Sequence, residues 1–179
     1  MTEITAREFE KLLVEKNINP DHLQDLVVKK LLEKNKKVAT AESCTGGLIS
    51  KRLTEVSGVS QVFECGVCSY ANKIKHKILN VNSKDIEEKG AVSPEVAQQM
   101  AQGIRLLADA DYGISTTGIA GPTGASKNKP IGLVYIAVNS PEKTTIIRSF
   151  LQDDRMQSRE NIRKTATDLA LFSLFIELG

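Results

Sequence analysis

The chain is poor in the residues that would commit it to a specialised class. It has no tryptophan, three cysteines and only two histidines in 179 residues. An odd number of thiols in a domain of this length argues against a disulfide framework. Cys65 and Cys68 do spell C-x-x-C, but within "VFECGVCSYA", a β-branched and aromatic run. Positions three apart on a strand face opposite sides and cannot share a metal. With no second Cys/His pair in the chain, the two read as buried strand cysteines and no metal site is expected. Aromatic residues make up 4%, and 24 basic side chains nearly balance 22 acidic ones. No basic block interleaved with aromatics marks a nucleic-acid groove, and "KKLLEKNKK" reads as the solvated end of a helix. Long apolar runs are missing too, so no membrane span is expected. The opening "MTEITAREFEKLL" lacks the apolar core of a secretory leader, and a soluble cytoplasmic protein is the expectation.

What is present is an alternation of helices and strands. Two helices, "TAREFEKLLVEKN" and "DHLQDLVVKKLLEKN", flank Asn19-Pro20, with Asp21 placed to cap the second. Leu23, Leu26, Val27 and Leu31 give that helix an apolar face. "KVATAE" reads as a strand and "TGGLISKRLTEV" as a helix opening near Thr45. "QVFECGVCSYA" is a second strand, followed by short helices at "NKIKHKILN" and "SKDIEEKG". "SPEVAQQMAQGIRLLADA" is an amphipathic helix capped by Ser93 with Pro94 in its first turn. "DYGISTTG" is a strand, "LVYIAVN" and "TTIIRSFL" form a hairpin about Ser140-Pro141, and a last helix runs from Met156 to Glu177. The order predicts an α/β/α sandwich with a mixed sheet, in which residues 1–36 form a helical extension packed on a domain of residues 37–179. Ligands gather at the carboxyl ends of strands in such sheets. The turn at Ser43, the strand end at Tyr70 and the loop after Thr117 are therefore expected to meet.

Three segments could carry chemistry there. In "AESCTGG", a hydroxyl or thiol at a helix start sits near unpaired N–H groups able to receive an oxyanion, and Gly46 and Gly47 leave room for a ligand. The same residues also suit a plain capped turn. In "CSYANKIK", Tyr70, Asn72 and Lys75 follow a strand, and neither His22 nor His76 suits a Ser-His-Asp arrangement. A desolvated lysine can act as base in place of histidine, although a lysine here also suits a solvated helix face. The loop "STTGIAGPTGASKNKPIG" has neither Walker A nor Gly-x-Gly-x-x-Gly spacing. Its amides and Thr116, Thr117 and Thr123 could cradle a ribose or phosphate, or the loop could be a surface excursion. Arg155 and Arg159 in "DDRMQSR" suit an anionic group or a surface ion pair.

Taken in order, "TAESCTGG", "F-E-x-G-x-x-x-Y-x-N-x-x-K" at residues 63–75, "GAVSPEVAQQMA", "TGIAGPTG", "KPIGLVYIA" and the "DR" ending at Arg155 resemble the CinA carboxy-terminal domain family. Its members include nicotinamide-nucleotide amidohydrolases. The resemblance covers nearly all of the chain after the first thirty or so residues. It implies a three-layer α/β/α sandwich and a serine–lysine mechanism with a tyrosine nearby. By motif position these are Ser43, Lys75 and Tyr70, which favours Ser43 over Cys44 as nucleophile. It implies nicotinamide mononucleotide as the small-molecule substrate, with Thr45, Gly46, Asn72, Thr117, Gly118, Gly121 and Arg155 as contacts. Neither metal nor organic cofactor is implied. A catalytically silent, competence-associated nucleotide-binding module is the alternative. The amphipathic amino-terminal helix pair suits a homodimer. The chain departs from the family in reading Asp153-Asp154-Arg155 for Gly-Asp-Arg, and Gly124-Ala125 for Gly-Gly.

Overall fold

The computed structural model describes residues 1–153 and 158–179. Six strands form one mixed sheet in the order β1-β6-β5-β4-β2-β3. They are β1 (Thr2–Thr5), β2 (Val38–Glu42), β3 (Phe63–Cys68), β4 (Tyr112–Gly118), β5 (Leu133–Asn139) and β6 (Thr144–Phe150). The central pairs β2–β3 and β2–β4 are parallel, β4–β5 and β5–β6 antiparallel, and β1 runs parallel to β6. Helices α1 (Ala6–Glu15), α2 (Leu23–Lys34), α3 (Leu48–Thr54) and α7 (Arg159–Glu177) cover one face. Helices α4 (Asn72–Leu79), α5 (Ser83–Lys89) and α6 (Pro94–Leu107) cover the other. Among the described residues, no helix is long and apolar enough to cross a membrane.

Side-chain alternation assigns the two cores. Val38, Ile114, Val134, Ile136 and Val138 point toward α7, which is buried almost all round from Thr165 to Leu174. On the opposite face the small residues Ala39, Ala41, Gly113, Ser115 and Ala137 let α6 lie close on the sheet, with Leu133 and Tyr135 of β5 filling the rest. A Cβ on Gly113 would stand 2.0 Å from the Ala101 carbonyl oxygen, so only glycine fits there. β2 is buried at all five positions because helices cover it on both faces, which is why it reads as a run rather than an alternation.

Several expectations are corrected. Residues 2–5 are an edge strand, and Thr5 ends it by forming a capping box with Glu8 for α1. Asp21 does not cap α2. The N-cap of α2 is His22, which makes no side-chain cap bond, while Asn19 caps a preceding 3₁₀ turn at Pro20–His22, its side chain accepting the Asp21 N–H. In α2, Leu23, Val27, Val28 and Leu31 are the buried residues. α3 begins at Leu48, three residues later than the hydroxyl of Thr45 suggests. The cysteines of C-x-x-C lie on the edge strand β3, Cys65 half-buried on the α6 face and Cys68 exposed. They are not buried core thiols. The residues assigned to the start of the last helix, Met156 and Gln157, lie outside the described residues; Ser158 caps α7.

Candidate active site

The carboxyl ends of β2, β3 and β4 point the same way, and β4 is where the sheet changes from parallel to antiparallel pairing. The connection after β2 runs through α3 on one face and that after β3 through α4–α6 on the other, and a crevice opens at strand ends where connections diverge in this way. Just past the strand ends, the Ser43 N–H donates to the Thr116 carbonyl (3.0 Å) and the Ser69 N–H to the Glu42 carbonyl (2.9 Å). Ser43, Tyr70 and the loop after Thr117 thus meet in one cavity of about 210 Å³, also lined by Asn72, Lys75, Gly118 and Arg159.

The turn that carries Ser43 is shaped from below. Gly46 (φ +62°) and Gly47 (φ +96°) both take left-handed backbone, where a side chain would be strained. Conformation is therefore their role rather than clearance for a ligand: the Cβ direction of Gly46 faces Arg163, and that of Gly47 faces Cys68. The first amides of α3 are not free either. The carboxylate of Glu42, fully buried, accepts from the N–H groups of Gly47 (2.9 Å), Ile49 (3.1 Å) and Ser50 (2.9 Å). It also accepts from the hydroxyls of Thr45 (2.7 Å) and Ser50 (2.8 Å). The oxygens of one internal side chain thus satisfy the first amides of α3.

Lys75 lies in the first turn of α4, 1% exposed, the largest buried cationic side chain in the described chain. Its Nζ donates to the Ser69 carbonyl (2.5 Å) and to Ser43 Oγ (3.0 Å), with the Tyr70 carbonyl more distant at 3.4 Å. Burial pushes its pKa down from 10.5 to about 8. Among the described residues no carboxylate hydrogen-bonds to it to hold the proton. The neighbouring thiol behaves oppositely: burial raises Cys44 to about 12, so at neutral pH it stays a thiol. A hydroxyl 3.0 Å from an amine that is partly neutral near pH 8 is a nucleophile–base geometry.

The remaining expected residues divide. Asn72, Thr117 and Gly118 line the cavity, with the Thr117 hydroxyl held by the Ala91 carbonyl (2.7 Å). Thr45 is buried away from it, its hydroxyl shared between Glu42 and Thr116. Gly121 contributes a carbonyl that accepts from Arg159 (2.8 Å). The Tyr70 phenol, on a residue 65% exposed, accepts from the other arm of Arg159 (3.2 Å), and it is the Tyr70 carbonyl rather than the phenol that faces Lys75. Arg155 lies outside the described residues. Arg159, named beside Arg155 as a candidate for an anionic group, lines the cavity, and a signal for it exists in the sequence. Ser158 caps a long helix, and a cation in a first turn opposes the helix dipole unless something anionic or carbonyl-rich faces it. A wider groove of about 660 Å³ between α2, α3 and α7 also touches Arg159, but it holds neither Ser43 nor Lys75. Arg52, half-buried in the lining of that groove, pairs with the buried carboxylate of Asp168.

The fold and this geometry define a class: an α/β/α sandwich with a buried lysine hydrogen-bonded to a serine at the carboxyl edge of its sheet. The chain belongs to the CinA C-terminal domain family, which matches residues 20–175. A CinA-like protein of Sulfurihydrogenibium is 49% identical over 144 residues, covering 80% of this chain and 36% of the relative. A CinA-like protein of Prochlorococcus marinus is 39% identical over 170 residues, covering 94% of this chain and 39% of the relative. The chain therefore spans well under half the length of these curated relatives. Among solved structures, the competence/damage inducible protein CihA from Agrobacterium tumefaciens superposes with a TM-score of 0.84 at 36% identity. That match covers 89% of this chain and 94% of CihA.

Proposed function

We propose that the chain is a nicotinamide-nucleotide amidohydrolase that converts nicotinamide mononucleotide and water to nicotinic acid mononucleotide and ammonia. The observation that carries the reading is the 3.0 Å contact between Ser43 Oγ and an Lys75 amine that burial brings to about 8. Neutral Lys75 takes the Ser43 proton as Oγ attacks the carboxamide carbon. The pyridinium ring withdraws electrons from that carbon and makes it more open to attack than an ordinary amide. Because Glu42 occupies the amides of Gly47, Ile49 and Ser50, the oxyanion falls to those of Cys44 to Gly46. The Lys75 ammonium returns the proton to the leaving nitrogen and ammonia departs. Water, activated by the same amine, then hydrolyses the acyl-serine.

A cavity of about 210 Å³ suits the carboxamide end of the nucleotide, with ribose and phosphate reaching Asn72, Gly121 and Arg159 at its mouth. Arg155 belongs to the same proposal as a phosphate contact. The test is direct: purified protein is incubated with nicotinamide mononucleotide, and ammonia and the acid product are measured beside Ser43→Ala and Lys75→Met. Product from the wild type alone supports the reading. A wild type that binds the nucleotide but releases no ammonia would identify a catalytically silent binding module instead.

A further inference from the structure

We infer that Glu42 is a positioning residue for the nucleophile: its hydrogen-bonded carboxyl group sets the place of Ser43 Oγ against Lys75. The inference rests on the deamidase reading for its substrate, but not for its geometry.

A buried carboxylate is costly unless hydrogen bonds replace its water, and more so without a cation beside it. Among the described residues Glu42 has five donors, and none of the five is a cation. Capping a helix does not require this. α6 and α7 are capped by the hydroxyls of Ser93 and Ser158. α3 has only seven residues, and a serine at its start would serve as well. What the carboxylate adds is reach. It grips Thr45 and Gly47 inside the turn, then Ile49 and Ser50 in the helix beyond, and Ser43 is covalently next to it. The Thr45 hydroxyl carries the network on to Thr116 (2.7 Å), and Ser50 carries it to Thr40 (2.8 Å).

The main chain of the same residue controls the amine. The Glu42 carbonyl holds the Ser69 N–H, and the Ser69 carbonyl holds Lys75 Nζ at 2.5 Å. One residue thus ties the turn that bears the hydroxyl to the peptide that anchors the base. A misplacement of about 1 Å between reacting groups costs on the order of a hundredfold in rate. Glutamine fills the same volume but turns an NH₂ toward backbone N–H donors at one end of the side chain. The turn must then shift to separate donor from donor.

The experiment compares wild type, Glu42→Gln, Glu42→Asp and the milder Thr45→Val and Ser50→Ala, each of which removes one donor. Three quantities are read: kcat and KM for nicotinamide mononucleotide, the rate at which a fluorophosphonate labels Ser43 by intact mass, and thermal melting. Glu42→Gln should lower kcat and the labelling rate together by about tenfold or more, with KM within about threefold. Thr45→Val and Ser50→Ala should each lower both rates by a few-fold, and Glu42→Asp, which keeps the carboxyl group, should fall between glutamine and wild type. A folded Glu42→Gln that labels and turns over like wild type overturns the inference, as does one that raises KM alone. Should Glu42→Gln not fold, the Thr45→Val/Ser50→Ala double variant decides, and wild-type rates in it overturn the inference. A wild type that labels Ser43 but releases no ammonia rejects the deamidase reading, and the labelling series alone then judges Glu42. A wild type that neither labels nor turns over rejects both.

Discussion

Lys75→Met keeps the length of the buried stem and removes the titrating amine, so the difference between the two proteins isolates one ionisation. In the folded protein that amine titrates at about 8, below its ordinary 10.5, because burial disfavours the ammonium. Below pH 8 both folded and unfolded chains hold the proton, and the fold bears the full cost of a buried charge. Between 8 and 10.5 the folded chain releases the proton first, the unfolded chain binds more, and stability rises with pH. Above that window the cost is gone. The fall corresponds to about 3 kcal/mol, since each tenfold in proton affinity is worth ~1.4 kcal/mol. Urea melts of both proteins should show wild type gaining about 2–3 kcal/mol on Lys75→Met from about pH 7 to about pH 10. Methionine also leaves the Ser69 carbonyl without its donor, but that loss does not vary with pH and drops out of the slope. The same ionisation should govern catalysis, with kcat/KM climbing to a plateau above pH 8 as the neutral amine accumulates. A stability difference that stays flat across the window would mean an ordinary solvated lysine, and the base assignment would fall with it.

Thiol labelling at neutral pH should modify exposed Cys68 first and leave Cys44 untouched until the protein is denatured, as peptide mapping would show. Cys44→Ala should keep deamidation within a few-fold while lowering stability by about 1–2 kcal/mol. Tyr70→Phe, which loses only the Arg159 contact, should reduce kcat by no more than a few-fold, whereas Arg159→Gln should raise KM for the nucleotide by about tenfold or more. A large kcat loss in Tyr70→Phe would instead make the phenol a proton relay. Asp168→Ala should cost about 1–3 kcal/mol in chemical denaturation, because half-buried Arg52 loses its carboxylate but keeps Gln24 and the Pro20 carbonyl, and Arg52→Met/Asp168→Leu should recover most of it.

The strands and α6 were legible because their signals are local: β-branched runs bounded by turns, and a Ser-Pro-Glu start on an amphipathic stripe. β1 was not, since "TEIT" buries only Ile4 and is a strand only because β6 lies beside it. The onset of α3 was misread for a related reason. Thr45 resembles a cap, but the true cap is Glu42, which reaches forward across five to eight residues, and no local pattern reports that. Ser43 and Lys75 stand 32 residues apart and meet because parallel pairing aligns Glu42 with Cys68, bringing the segments after both strands to one edge. Only the family resemblance pointed to that pair; spacing alone left Lys75 on a solvated helix. Tyr70 shows what motif spacing leaves open, since it lines the cavity with Ser43 and Lys75 but its side-chain direction is not written in the motif. "Y-x-N-x-x-K" keeps Tyr70 near Lys75 in sequence, but it is the carbonyls of Ser69 and Tyr70 that face the amine, while the phenol turns outward to Arg159. What orients the base is backbone, and backbone direction is written in the strand pairing rather than in the identity of the side chain.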